Sequence, residues 1–242
     1  MDCPPLRFNP HARLERVDFD GQPICYVLDQ ALLDPERLVD YAQAEQARFQ
    51  QAPFNAYPGR EMPMPAEFTA GLELAFNGRV RSLLGGRRTL RTTSRLAMVT
   101  TAPADLEPRQ RICHRDSAWI EPAHTIAASV LYLFHDSLLG GTGFYHPRHS
   151  EQDIAQLVHD SSTLDSAAFD ARRPGIAQDF MRASNAWFER IGGVAAAWNR
   201  MIFYDGRRFH SGEIGPPERM LADPRAGRLT LNGFFTCSRA AR

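Results

Sequence analysis

The period of the hydrophobic pattern changes along the chain. In RVDFDG and PICYVLD apolar and polar residues alternate, which predicts two strands joined by a turn at Asp20 and Gly21. LDPERLVDYAQAEQARF switches to helical spacing, with Leu38, Val39 and Ala42 on one face, Asp34 as N-cap and Pro35 in the first turn. The following QAPFNAYPGREMPMPAEF carries Pro53, Pro58, Pro63 and Pro65, each lacking a backbone donor, so it is expected to form no regular ladder and to lie as a covering loop or arm. A second helix is expected over PAEFTAGLELAFNGRVRSLLG, ending at Gly85 and Gly86.

After residue 93 strand periodicity takes over. SRLAMVTTA, ICHRDSAW, TIAASVLYLFH, GTGFYHP, NRMIFYDG and GRLTLNGFFTC are short, rich in branched and aromatic residues, and bounded by Gly, Pro or Asp. Between them SEQDIAQLVHDSSTLDS and IAQDFMRASNAWFERIGG read as helical, an insertion at about residues 150–192. The expected fold is mainly β with flanking helices, an antiparallel sandwich or barrel. Residues 1–92 would supply N-terminal strands and supporting helices to the same globular unit, and residues 93–242 the core. With 242 residues and 43% hydrophobic positions the chain can bury such a core.

Composition narrows the function. SVLYLF and LTLNGFF are the longest apolar stretches, far short of the roughly 20 residues needed to span a bilayer, and MDCPPLRFNPH lacks a signal-peptide pattern; a cytoplasmic protein without a membrane partner is expected. Basic and acidic residues balance at 28 each, and clusters such as GRRTLR are too short for a basic stripe, which argues against nucleic acid. All the basic residues are Arg, a compositional habit without functional weight. Cys3, Cys25, Cys113 and Cys237 form no CxxC pair, so free thiols are expected rather than a zinc ribbon.

The candidate chemistry begins at His114-Arg115-Asp116. On a strand, positions i and i+2 share a face, so an imidazole and a carboxylate can reach one ion together. His210, in NRMIFYDGRRFHSG behind a strong strand, is the candidate third ligand. Two His and one carboxylate leave half of an octahedral iron sphere open for a chelating co-substrate and dioxygen. The same trio with water would also serve zinc. Arg228 and Thr230 favour iron: they place a guanidinium and a hydroxyl on one strand face, a receptor for the distal carboxylate of 2-oxoglutarate, for which a zinc hydrolase has no use.

From about residue 93 to 236 the chain resembles the double-stranded β-helix (jelly-roll, cupin-like) core of the Fe(II)/2-oxoglutarate dioxygenases, nearest their prolyl-hydroxylase-like branch. His114 and Asp116 match the His-x-Asp, His210 the distal His, and Arg228 the following basic residue. Tyr132, Leu133, Gly140, Gly141 and Thr142 match the branch's Tyr-Leu strand running into a Gly-Gly-x-Thr motif, although Thr142 follows the glycines directly. The resemblance implies Fe(II), 2-oxoglutarate and dioxygen as cofactor and co-substrates, His114, Asp116, His210 and Arg228 as catalytic residues, and Tyr132 as a lateral hydrogen-bond partner of 2-oxoglutarate. It implies oxidative decarboxylation to succinate and carbon dioxide coupled to hydrogen removal from a substrate. Related halogenases replace the carboxylate by a small residue, so Asp116 favours hydroxylation.

The remaining candidates concern co-substrate and substrate. Asn199, ahead of the MIFY strand, could hold a ligand or the 2-oxoglutarate carboxylate, or bond only its own backbone surroundings. Trp119 would line the pocket wall, His124 its mouth, and Arg148 a substrate-facing loop. The YPGREMPMP arm would bring Tyr57, Arg60 and Met62 or Met64 to the ligand, with Arg60 suiting a carboxylate. The expected reaction is hydroxylation of an unactivated carbon in a small molecule such as an amino acid or natural-product intermediate. The alternatives are a hydroxylase of peptide or protein side chains, with an open groove, and a zinc-dependent hydrolase or non-catalytic cupin-like binding protein.

Overall fold

In a computed structural model of the chain, which describes residues 2–51, 56–116, 121 and 123–239, β1 (Leu14–Phe19) and β2 (Gln22–Leu28) pair antiparallel. Asp20 and Gly21 between them hold φ of 51° and 71°, the left-handed pair that a two-residue hairpin turn requires. Helix α1 (Glu36–Ala44) follows, but its N-cap is Pro35. The expected cap, Asp34, instead pairs with Arg7 at 2.8 Å.

The proline-rich passage does form a ladder. After β3 (Gln50–Gln51), strand β4 (Gly59–Pro63) pairs from Gly59↔Val99 to Pro63↔Arg95 with β5 (Gly86–Val99). This is possible because Pro58 and Pro63 bracket the strand and remove no donor from its middle. Gly59 is required there, since a Cβ would sit 2.0 Å from the Met98 carbonyl oxygen. Pro53 lies outside the described residues. Between the two strands, helix α2 (Ala66–Arg79) stops short of the expected Gly85. It buries Phe68, Leu72 and Phe76 at i, i+4 spacing, and Phe76 stacks on Phe235 with ring centroids 3.9 Å apart. Each such side chain contributes roughly 1.5–3 kcal/mol by burial. Strand β5 runs through position 93, and β1 to β4 join its sheet.

Beyond β6 (His124–Tyr132) and β7 (Thr142–Pro147) the insertion is helical only in its first half, as α3 (Glu151–Thr163) and α4 (Ser166–Arg172). The second half, expected to be a helix, ends in strand β8 (Phe188–Val194), antiparallel to β7. A register shift between Phe144 and Tyr145 puts Arg190 and Gly192 opposite consecutive residues. The resulting bulge spaces the buried Phe188, Ile191 and Val194 three apart, which imitates a helical period. Strands β9 (Met201–Asp205), β10 (Phe209–Gly212) and β11 (Leu229–Arg239) complete the chain. ICHRDSAW, expected as a strand, pairs through only one residue among its described positions, an isolated bridge between His114 and His210.

Two antiparallel sheets result, ordered β1-β2-β9-β6-β11-β5-β4-β3 and β10-β7-β8. From β6 onward the chain passes from the large sheet to the small one and back, twice, which is the winding of a jelly roll. One apolar core, including Tyr41, Leu72, Phe203 and Phe235, fills the space between the large sheet and the helices. Another, including Ala128, Phe144, Ile202 and Tyr204, lies between the sheets and walls the site described next. The four cysteines are free thiols. No helix among the described residues is long and apolar enough to cross a membrane.

Candidate metal centre

His114, Asp116 and His210 converge: one donor atom from each lies within 4.8 Å of the other two. The main chain places them. His114 and His210 exchange both backbone hydrogen bonds at 3.0 Å, and the Asp116 N–H donates to the Gly206 carbonyl at 2.7 Å. His210 Nδ1 lies 2.9 Å from the Arg208 carbonyl oxygen, which can only accept, so Nδ1 carries the proton and Nε2 faces the site with its lone pair. The His210 Nε2 to Asp116 Oδ2 and His114 Nε2 to Asp116 Oδ1 distances are 3.6 and 3.7 Å, too long for hydrogen bonds.

The electrostatics suit a cation. Asp116 Oδ2 is buried with no hydrogen-bond partner among the described residues, an arrangement that is costly unless an ion compensates it. Burial raises the Asp116 carboxyl, against the pull of His114 and Arg95. Burial pushes His210 down to about 4, so its imidazole is neutral and ready to ligate. His114 sits at the mouth with 46% of its side chain exposed; burial and the nearby His210 push it the same way, against Asp116. These residues fit a divalent metal of the iron or zinc kind.

The triad opens onto a cavity of about 200 Å³ whose lining includes Tyr57, Arg95, Thr142, Arg228, Thr230 and Asn232. Arg228 is 4% exposed. Its Nε donates to the carbonyls of Leu139 and Gly140 at 3.0 and 3.3 Å, and its Nη2 to that of Gly141 at 3.1 Å. Those contacts set the plane of the guanidinium and leave Nη1 without a protein partner among the described residues. Gly140, with φ of 84°, makes the turn possible. Thr230 stands beside Arg228 and close to the Tyr57 hydroxyl, which burial raises to about 12. Tyr57, expected at the substrate, is therefore at the Arg228 end. Tyr132 lies behind the wall: its fully buried hydroxyl bonds to Thr142 Oγ1 at 2.8 Å, and Thr142 is the residue that lines the cavity.

Three expected site residues lie elsewhere. Asn199 bonds through both ends of its amide to the Leu32 backbone, donating to the carbonyl at 2.8 Å and accepting from the N–H at 3.0 Å, at φ of 59°. It pins the segment between β2 and α1. Arg60 is exposed because strand alternation gives the inner face of β4 to Glu61. Arg148 is exposed beyond the end of β7. His124 begins β6 outside the cavity lining, and Trp119 lies outside the described residues. The sequence reading missed Asn232, Tyr204, Phe180 and Arg95. Asn232 was accessible in principle, since it shares the face of Arg228 and Thr230 by continued alternation. Arg95 was not, because the inward face of β5 depends on its partners.

A comparison with curated proteins found no match. Among solved structures the chain is similar to the non-haem α-ketoglutarate-dependent epimerase SnoN from nogalamycin biosynthesis, with 13% identity over 89% of this chain and 80% of that one and a TM-score of 0.47. It is similar to the carbocyclase SnoK from the same biosynthesis, with 10% identity, coverage of 88% and 79%, and a TM-score of 0.48. HygX from Streptomyces hygroscopicus, with nickel and 2-oxoglutarate bound, gives 11% identity, coverage of 88% and 82%, and a TM-score of 0.47. A family model matches residues 8–235, nearly the whole chain, and the protein belongs to that family, the family of unknown function DUF6445.

Proposed function

We propose that the protein is an Fe(II)- and 2-oxoglutarate-dependent oxygenase that hydroxylates an unactivated carbon of a small molecule. The observation that carries this reading is that the His114, Asp116 and His210 donors and the Arg228 guanidinium open onto one cavity. A zinc hydrolase would account for the three ligands but not for the buried, pre-oriented guanidinium. The order His114-x-Asp116, His210, Arg228 supports the Fe(II)/2-oxoglutarate oxygenase resemblance.

In this reading His114, Asp116 and His210 hold the metal on one side and leave the cavity side open. Arg228 binds the distal carboxylate of 2-oxoglutarate, with the Thr230 and Tyr57 hydroxyls beside it. Tyr132 orients the Thr142 hydroxyl at the wall. When bound, Fe(II) with 2-oxoglutarate and dioxygen would supply the oxidant that removes a substrate hydrogen. Asp116 occupies the position that a halide would need, which favours hydroxylation.

Anaerobic titration of the metal-free protein with Fe(II) and then 2-oxoglutarate tests the reading through the weak visible charge-transfer absorption of the chelate. The absorption should develop in the wild type, and Arg228→Ala should require a much higher 2-oxoglutarate concentration. Fe(II) binding without any such absorption would sink the oxygenase reading and favour the zinc or binding-protein alternatives.

A further inference from the structure

The cavity holds a second guanidinium besides that of Arg228. Arg95 on β5 pairs in register with Asn232 on β11, while Arg228 lies four positions earlier on that strand run. The two arginines therefore point into the same space from backbone positions about 13 Å apart along the strand. Arg95 is held in place: Nε lies 2.7 Å from Glu61 Oε1, and the guanidinium stacks 4.5 Å from the centre of the Phe234 ring. Among the described residues no protein group takes Nη1 or Nη2, and 30% of the side chain remains accessible. It lines the same cavity as His114 and Asp116. Opposite it, Asn232 is 8% exposed and its Oδ1 has no hydrogen-bond partner among the described residues.

A pinned guanidinium with a free edge binds a planar carboxylate well, and an unpartnered buried amide oxygen calls for a donor from the same ligand. We propose that Arg95 and Asn232 form the primary-substrate subsite, and that the substrate is a small carboxylic acid bearing an N–H or O–H group near its carboxylate, as amino and hydroxy acids do. This rests on the oxygenase reading only for the name of the reaction. One cavity then has two anionic occupants, each with its own arginine: the co-substrate on Arg228 and the substrate on Arg95. Glu61 keeps Arg95 aimed and balances its charge while the subsite is empty.

The test is calorimetric titration of L-alanine, L-leucine, L-phenylalanine, L-lactate and L-phenyllactate, each against its primary amide. The protein is used metal-free and again after anaerobic loading with Fe(II) and 2-oxoglutarate. At least one acid should bind at least tenfold more tightly than its amide. Arg95→Gln should erase that preference while the 2-oxoglutarate absorption still develops, and Arg228→Gln should leave the preference intact. Since Arg95→Gln removes the positive charge that faces the buried Glu61, the Arg95→Gln/Glu61→Gln variant provides the same measurement with charge balance restored. The proposal is overturned if no acid outbinds its amide, if the preference survives loss of Arg95, or if loss of Arg95 abolishes the 2-oxoglutarate absorption. Failure of 2-oxoglutarate to bind the wild type would instead remove the oxygenase reading, and the acid-to-amide comparison on the metal-free protein would still decide the subsite.

Discussion

His114 and His210 are paired through their main chains, each N–H donating to the other's carbonyl at 3.0 Å, and their rings lie 4.4 Å apart. The spacing of these two ligands is thus set by backbone geometry, with Asp116 tied to Gly206 in the same way. A site built so is fixed by the main chain, and the cost of keeping it without a cation is an uncompensated carboxylate.

That cost should be measurable. Asp116→Ala removes a buried oxygen with no partner, so the metal-free variant should be more stable than the metal-free wild type by about 1–3 kcal/mol, while binding of Fe(II) or Mn(II) is lost. Urea unfolding and metal titration check the two halves. A destabilised metal-free variant would mean that the carboxylate has a structural role instead.

Acid should act on His210. Its value in the fold, about 4, is below the ordinary value of about 6.5, so between these the unfolded chain binds more protons and stability falls as pH is lowered. The contribution is complete above about pH 6.5. The raised Asp116 carboxyl works in the opposite direction, so the informative quantity is a difference. Between pH 7 and 4.5 the metal-free wild type should lose more stability than His210→Gln; parallel urea-unfolding curves across that range would contradict the neutral, buried imidazole.

Lysine should not replace Arg228. Two nitrogens of Arg228 are engaged by the carbonyls of residues 139–141, and a lysine has one nitrogen to offer both these carbonyls and a ligand. Arg228→Lys should weaken 2-oxoglutarate binding by at least about tenfold, or 1.4 kcal/mol, with little change in metal affinity. Affinity equal to wild type would show that the charge alone suffices.

Asn199→Ala separates a structural residue from a ligand residue. It removes two buried hydrogen bonds to Leu32 and places alanine at φ of 59°, so stability should fall by about 2–4 kcal/mol. Metal and 2-oxoglutarate affinities of the folded variant should be unchanged. A loss of 2-oxoglutarate affinity at full stability would return Asn199 to the site.

By itself the sequence determined what depends on neighbours along the chain. The Asp20-Gly21 turn, the bodies of both N-terminal helices, and the strands β6, β7, β9 and β11 follow from local periodicity and turn chemistry. Tertiary structure decided what depends on pairing partners. Strand β8 escaped the sequence reading because its bulge is defined only against β7, and β4 because the spacing of its prolines is harmless only beside β5. The same holds in the cavity: Arg60 and Arg95 are both strand arginines, yet the register of β4, β5 and β11 turns one to solvent and the other toward the metal site. A strand's alternation says which residues share a face, and only the sheet it joins says which face is inside.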